Sequence, residues 1–165
     1  MKPSEANRLQ HGLPRSHPAW WITCVGGVGL ASKAPGTWGS LAALPPIYLI
    51  AASLGPEALL VAALGVFAIG LWAATIYVQR TGAADPQEVV IDEVAGQMLT
   101  LSLLSPHFLA YAAGFLVFRF FDILKPFPAG WIDRNVKGGL GVMLDDLVAG
   151  VYGLIVMLLA VSLAG

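Results

Sequence analysis

Acidic residues interrupt the apolar stretches of this sequence at three places. Asp92 and Glu93 interrupt one stretch, Asp145 and Asp146 lie near the start of another, and Asp122 lies near the end of a third. An ionised side chain at membrane depth is costly unless it is paired, hydrated or bound to a metal. Carboxylates are the ligands of hard divalent cations, and Mg²⁺ commonly takes a few of them together with substrate phosphate. These residues therefore predict a magnesium and phosphate site.

Each group also has a simpler explanation. Acidic residues at the start of a helix complement its macrodipole, and each stabilises the helix by about 0.3–1 kcal/mol. That explanation does not account for two adjacent pairs in apolar segments, so we favour Asp92, Glu93, Asp145 and Asp146 as metal ligands. Adjacent residues on a helix point about 100° apart, so one member of each pair can instead be the metal ligand while its neighbour interacts with that ligand. Asp122 lies three residues from both Arg119 and Lys125, and it is either part of an ion pair or a catalytic carboxylate.

The composition is typical of an integral membrane protein. Apolar types make up 57% of the 165 residues and charged types 12%, against about 25% charged in an ordinary soluble domain. A net charge of −1 gives no indication of a nucleic-acid partner. Cys24 is the sole cysteine, which excludes an internal disulfide and a cysteine-based zinc site, and it is expected to be a packed side chain.

The expected fold is an all-α membrane bundle of about four to five hydrophobic helices, with loops on the cytoplasmic side. Residues 1–18 predict a polar tail, partly disordered, and residues 19–165 one membrane-embedded domain. Ala19 to Leu30 is too short to span and is expected at the interface. The third apolar segment is also short, so it tilts, thins the bilayer or pairs with the fourth. The segments run from 41 to 54, 58 to 78, 89 to 104, 108 to 124 and 142 to 164.

Charge distribution predicts the orientation. With five spans and the N-terminus inside, every Lys and Arg falls in an inner loop or, for Arg119, near the inner end of a helix, which is the positive-inside pattern. The same threading puts all the acidic residues described above at similar depth near the cytoplasmic boundary. Gly96 and Gly150 each follow an aspartate by four residues, in DEVAG and DDLVAG. Such glycines favour close helix packing.

The glycine-rich stretch from Gly26 to Ser40 offers amides, hydroxyls and Lys33, so it either cradles a phosphate or simply connects two elements. It is not a P-loop. The glycines Gly138, Gly139 and Gly141 could likewise expose helix N-terminal amides to an anion. Motifs for a covalent phospho-cysteine, phospho-aspartate or phospho-histidine route are missing. What remains is direct attack on phosphorus by metal-activated water.

Four ordered blocks, GGVGLASKAPGTWGSL, DPQEVVIDEVAGQ, FRFFDILKPFP and GGLGVMLDDLVAG, resemble those of the bacterial phosphatidylglycerophosphatase A family. The resemblance covers about residues 22 to 153 and implies a Mg²⁺-dependent lipid phosphatase with a phospholipid substrate, and it implies nothing about a protein partner. It further implies a multi-pass protein of the inner membrane with its active site facing the cytoplasm. The substrate would be phosphatidylglycerophosphate and the products phosphatidylglycerol and phosphate.

The family blocks assign roles to particular residues here. Asp92, Glu93, Asp145 and Asp146 would hold Mg²⁺, and Asp122 would assist as a ligand or as a general base for water. The expected phosphate contacts within the blocks are Lys33, Arg119 and Lys125, with Thr37 and Ser40 assisting. Arg134, which lies between two blocks, is a further candidate for the same role.

Two other classes of protein share some of these features. A transporter or ion-coupled carrier also has intramembrane carboxylates, but here the acids lie at one edge rather than at the midplane. A lipid phosphotransferase would share the location and the metal, but the sequence lacks the Asp-x3-Asp pattern of the CDP-alcohol enzymes.

Overall fold

The computed structural model describes residues 13–164, and every regular element within that range is a helix. This confirms the all-α prediction. Most of the predicted tail, residues 1–12, lies outside the described part. The helices are α1 (Pro18–Thr23), a 3-10 helix (Val25–Leu30), α2 (Pro35–Leu54), α3 (Ala58–Thr81), α4 (Ile91–Leu101), α5 (Phe108–Leu124), α6 (Ala129–Asn135) and α7 (Gly139–Ala164).

Within residues 13–164, three helices are long and apolar enough to cross a membrane: α2, α3 and α7. The third apolar segment forms only the 11-residue helix α4, about 16 Å long at 1.5 Å per residue, too short to cross alone. It packs against α2, α3, α5 and α7, and most of its residues are buried. The short segment is therefore an internal helix of the bundle, joined to α5 by residues 102–107.

The helices alternate in direction, as the threading predicted. Helices α2, α4 and α7 begin at the end of the bundle where α3 and α5 finish, since the starts of the first group and the end of α5 line one cavity. The turns at the opposite end, residues 55–57 and 102–107, contain no Lys or Arg. Residues far apart in the sequence thus meet at a single end of the bundle.

The crossing of α4 and α7 depends on the two predicted glycines. A Cβ added at Gly150 would lie 2.6 Å from the carbonyl oxygen of Gly96, and one added at Gly96 would lie 2.6 Å from the carbonyl oxygen of Asp146. The Thr100 hydroxyl donates across the same crossing to the Gly150 carbonyl oxygen at 3.3 Å. Backbone contact this close requires small residues, which confirms the packing inferred from DEVAG and DDLVAG.

Substitution of Gly150 by Ala is expected to destabilise the protein, because the new methyl group must push α4 and α7 apart. Overpacking of this kind costs about 1–3 kcal/mol. The matched control is Gly65→Ala in α3, where no described atom lies within 4 Å of an added Cβ and the change favours helix. Thermal unfolding in detergent should show a lower midpoint for Gly150→Ala alone; equal midpoints would contradict close packing.

The start of α2 differs from the sequence prediction. The stretch from Gly26 to Ser40 was expected to be a loop and α2 to begin near Leu41, but the chain already forms a 3-10 helix over Val25–Leu30 and α2 begins at Pro35. Ala34, at φ 48, takes the left-handed conformation immediately before it. Proline is favoured at the first position of a helix because its missing N–H has no intrahelical partner there. The second half of the predicted phosphate loop is therefore helical.

Residues just before α1 lie against the bundle. Leu13 is buried with Trp20 in one core cluster, and the Trp21 indole donates to the Arg15 carbonyl oxygen at 2.7 Å. Cys24 is fully buried in the same cluster, and burial raises the pKa of its thiol. An uncharged, enclosed thiol is a poor nucleophile, in agreement with its interpretation as a packed side chain.

Candidate active site

A cavity of ≈ 640 Å³ opens where the helix ends converge, and it is lined by charged side chains from four helices and their connections. All five predicted carboxylates face it, so the convergence expected from helix direction and depth is present. The predicted residues that line it are Asp92, Glu93, Asp122, Asp145, Asp146, Arg119, Lys125 and Arg134.

Asp92, Glu93 and Asp146 form the tightest acidic group. Each contributes a carboxylate oxygen, and these oxygens all lie within 4.8 Å of one another. The first two are in the first turn of α4, and the glycine crossing brings α7, with Asp146, alongside them. Gly36 at the start of α2 closes the group, because a Cβ there would collide with the Glu93 carboxylate.

The donor set of this group fits a divalent cation. Asp92 and Asp146 are 9% and 3% exposed, and within residues 13–164 the buried oxygens Glu93 Oε2 and Asp146 Oδ2 find no hydrogen-bond partner. Buried oxygens without partners are costly, and clustered carboxylates repel one another. A hard cation with oxygen ligands would relieve both costs.

Asp145 is not part of this group and pairs instead with Lys125. The Lys125 ammonium lies 2.5 Å from Asp145 Oδ2 and 2.7 Å from Asp133 Oδ1. Burial alone would lower the pKa of Lys125, but its hydrogen bonds to these two carboxylates raise it above the ordinary value. Lys125 therefore remains charged, and it occupies one oxygen of a residue that the sequence had predicted as a metal ligand.

Arg119 connects three other groups at the edge of the cavity. It forms an ion pair with Asp122, lies 3.8 Å from Glu93 Oε1 and donates to the Ser40 hydroxyl at 3.4 Å. Of the two ion pairs considered for Asp122, only that with Arg119 forms within the described chain, because Lys125 points to α6 and α7 instead. Asp122 is thus paired and still lines the cavity.

Residues 21–161 match the phosphatidylglycerophosphatase A family. The chain belongs to this family. It is 43% identical over 151 residues to phosphatidylglycerophosphatase A of Escherichia coli, covering 90% of this chain and 87% of that protein. The corresponding Haemophilus influenzae protein is 36% identical over 132 residues, covering 79% and 81%.

A third relative has a name with a different substrate. It is a Bacteroides thetaiotaomicron protein, provisionally named a phosphatidylinositol-3-phosphatase. The two sequences are 39% identical over 145 residues, and the match covers 81% of this chain and 87% of that protein. No solved structure matches this chain. The family suggested by the four sequence blocks is confirmed.

Three predicted phosphate contacts are not among the described residues that line the cavity. Lys33 is exposed and Thr37 half-buried, and neither is among the described residues that line it. Ser40 is buried, donates to the Gly36 carbonyl oxygen at 2.9 Å and contacts Arg119. The early start of α2 is the cause for Thr37 and Ser40, because it carries these two residues around a helix instead of along a loop. The stretch contributes Ala34, Pro35 and Gly36 to the cavity instead.

Sequence reasoning missed several residues of the site. Asp133 of α6 is the second partner of Lys125, while Asp85 and Lys137 also line the cavity. The density of charge between residues 125 and 137 was a usable signal for Asp133 and Lys137. Gln97 is fully buried one turn after Glu93, and its amide has no hydrogen-bond partner in the described chain.

Proposed function

We propose that this chain hydrolyses the terminal phosphomonoester of phosphatidylglycerophosphate to phosphatidylglycerol and inorganic phosphate, in a reaction that depends on Mg²⁺. The cavity carries the proposal, since carboxylates with the spacing to hold a metal ion and cationic side chains line it together. Two relatives that cover most of the chain are named for this activity. The transporter alternative has no comparable support, because the acids lie at one end of the bundle and not midway along it.

The metal would be held by Asp92, Glu93 and Asp146, with the free oxygen of Asp145 nearby as a fourth candidate. Charge neutralisation and Lewis-acid polarisation at the phosphate are what the ion would supply when bound. Phosphoryl transfer is mainly positioning and charge stabilisation. The protein's own task is therefore to hold the phosphate in the cavity and to orient a water molecule towards it.

Cationic side chains supply the remaining recognition. Lys125 and Arg134 line the cavity beside the acidic group and would contact phosphate oxygens, and Arg119 would do so from the α5 side. Asp122 lines the cavity outside the three-residue acidic group, so it is the candidate that accepts a proton from the attacking water. Asp133 would keep Lys125 in place through their 2.7 Å contact.

The location of the cavity suits a lipid substrate. It lies at one end of three helices that are long enough to span a bilayer, which is where a phospholipid headgroup lies. The turns at the other end lack Lys and Arg, and by the positive-inside rule this supports a cavity on the cytoplasmic side. We therefore propose a multi-pass protein of the bacterial inner membrane with a cytoplasmic active site.

Phosphate release from lipid phosphomonoesters in detergent micelles tests the proposal. The panel consists of phosphatidylglycerophosphate, phosphatidic acid and phosphatidylinositol 3-phosphate. We expect the highest kcat/KM with phosphatidylglycerophosphate. A preference for the inositol lipid would assign the chain to the activity named for its Bacteroides relative, and no release from any of the three would refute a lipid phosphatase.

Replacement of Lys125 by Met should lower kcat/KM for phosphatidylglycerophosphate by about 10²-fold, the usual cost of losing one group that stabilises transition-state charge. It removes the cation between Asp133 and Asp145. The matched control is Lys137→Met, since Lys137 also lines the cavity but donates to the Arg134 carbonyl oxygen. Equal losses in the two variants would mean that only general positive charge matters.

A further inference from the structure

A second concavity lies between α2 and α5, on the flank of the bundle below the charged cavity. Its volume is ≈ 610 Å³, and the two helices touch only lightly along it. The Tyr48 and Tyr111 rings meet edge to face across it at 5.7 Å. We call it the α2–α5 groove, and it is lined by Leu41, Leu44, Pro45, Tyr48, Phe108, Tyr111, Ala112, Phe115 and Leu116.

The groove continues from the charged cavity along both of its walls. On α2, Gly36 lines the cavity, and Leu41 and Leu44 line the groove one and two turns later. On α5, Arg119 lines the cavity, and Phe115 lines the groove one turn earlier. The hydrogen bond from Arg119 to Ser40 joins the two helices at the boundary. The polar space therefore ends at the level where the apolar groove begins.

We infer that the α2–α5 groove receives an acyl chain of the lipid substrate while its phosphate occupies the charged cavity. This rests on the proposed function. A phospholipid has its charged headgroup joined directly to its chains, and the two spaces meet in that order along α2 and α5. From Leu41 to Tyr48 the groove extends about 10 Å along α2, so it holds the upper part of a chain and leaves the remainder in the bilayer.

The groove is also open to lateral entry. Leu116 and Phe108 are 66% and 79% exposed, so one side of the groove faces the surrounding lipid. Every residue that lines it is apolar or aromatic, as expected for a site that binds hydrocarbon rather than a headgroup. A substrate can thus enter from the bilayer with its phosphate at the Arg119 level, without leaving the membrane.

Filling the groove tests the inference. Ala112→Trp places a large side chain in it, and the matched control is Ala113→Trp on the same helix, which is exposed and does not line the groove. Each variant is assayed with dioleoyl and with dihexanoyl phosphatidylglycerophosphate. We expect Ala112→Trp to raise KM for the dioleoyl lipid about tenfold, the effect of losing contacts with a few methylene groups. Its KM for the dihexanoyl lipid should stay within about twofold, and Ala113→Trp should change neither.

Three outcomes would overturn the inference. They are no change in KM with Ala112→Trp, an equal loss on both substrates, and an effect of the same size from Ala113→Trp. The second outcome would mean that the substitution disturbs the whole site and that the groove has no chain-specific role. If the unmodified protein releases no phosphate from either lipid, it is the proposed function that fails.

Photo-crosslinking of the unmodified protein provides a second measurement that needs no substitution. A phosphatidic acid with a diazirine in its acyl chain, in nanodiscs of phosphatidylglycerol, should label Tyr48 and Phe115 in preference to the lipid-facing residues of α3 and α7. Added phosphatidylglycerophosphate should suppress that labelling. Labelling spread evenly around the bundle, or resistant to the competitor, would show that the groove holds only bulk lipid and would overturn the inference.

Discussion

Replacement of Asp146 by Asn is expected to reduce phosphate release by at least about 10³-fold, because it removes one oxygen ligand and one negative charge from the centre of the proposed metal group. Asp146 is nearly fully buried, and one of its oxygens lies with those of Asp92 and Glu93 inside 4.8 Å. An amide is a weaker ligand for a hard cation than a carboxylate. The same loss is expected for Asp92→Asn. Release of phosphate from phosphatidylglycerophosphate in micelles measures both.

The fold should survive these two substitutions. In the metal-free protein, an Asn at either position lowers the charge repulsion among buried carboxylates, so the thermal midpoint without metal should be unchanged or higher. The control is Glu57→Gln, which removes a carboxylate at the opposite end of the bundle and should leave activity intact. Normal turnover in both Asp92→Asn and Asp146→Asn would remove the metal group from the mechanism.

The Asp145→Asn variant distinguishes two roles of Asp145, positioning Lys125 and binding the metal, which the sequence could not separate. The sequence left open which of Asp145 and Asp146 is the metal ligand, and in the structure Lys125 occupies Oδ2 of Asp145 and leaves the buried Oδ1 without a partner in the described chain. If Asp145 mainly positions Lys125, its Asn variant should resemble Lys125→Met, with a moderate loss. If it also binds the metal through Oδ1, the loss should approach that of Asp146→Asn.

The sequence predicted the long-range part of this site better than the local part. The meeting of α4, α5 and α7 at one acidic end followed from helix direction and rise per residue, and the approach of α4 to α7 followed from Gly96 and Gly150. These are properties of regular helices, which periodicity reveals. The direction of the helices and the depth of each residue along them were therefore enough to predict that Asp92 and Asp146 meet.

The local prediction failed where a short sequence is compatible with two structures. Pro35, Gly36 and Thr37 are typical of a loop, but proline is equally favoured at the first turn of a helix. The choice depended on Ala34, whose left-handed φ is uncommon for a residue other than glycine. Thr37 and Ser40, expected in a phosphate-binding loop, lie on α2 instead, and neither they nor Lys33 are among the described residues that line the cavity. The position of α6, which brings Asp133 to Lys125, likewise depends on tertiary packing.

Chelation of divalent cations is expected to abolish activity, with a loss of at least about 10²-fold that added Mg²⁺ reverses. The physical reason is the charge of the site, where three clustered carboxylates face a substrate that is itself anionic. Without a cation, each phosphate that enters meets uncompensated negative charge, which Lys125, Arg119 and Arg134 only partly offset. Phosphate release after EDTA treatment, with and without added Mg²⁺, measures the effect. Full activity in EDTA would exclude a loosely held metal.

Thermal unfolding gives a readout of the same site that does not depend on turnover. A ligand that binds only the folded state at 100 times its Kd stabilises that state by about 2.7 kcal/mol, so Mg²⁺ should raise the unfolding midpoint of the detergent-solubilised protein. Asp92→Asn and Asp146→Asn should lose that shift, and Glu57→Gln should keep it. Because each Asn variant removes both repulsion and ligand, a genuine metal site predicts that metal-free stability holds or rises while the gain from Mg²⁺ disappears. A merely structural role for these aspartates predicts lower stability in both conditions.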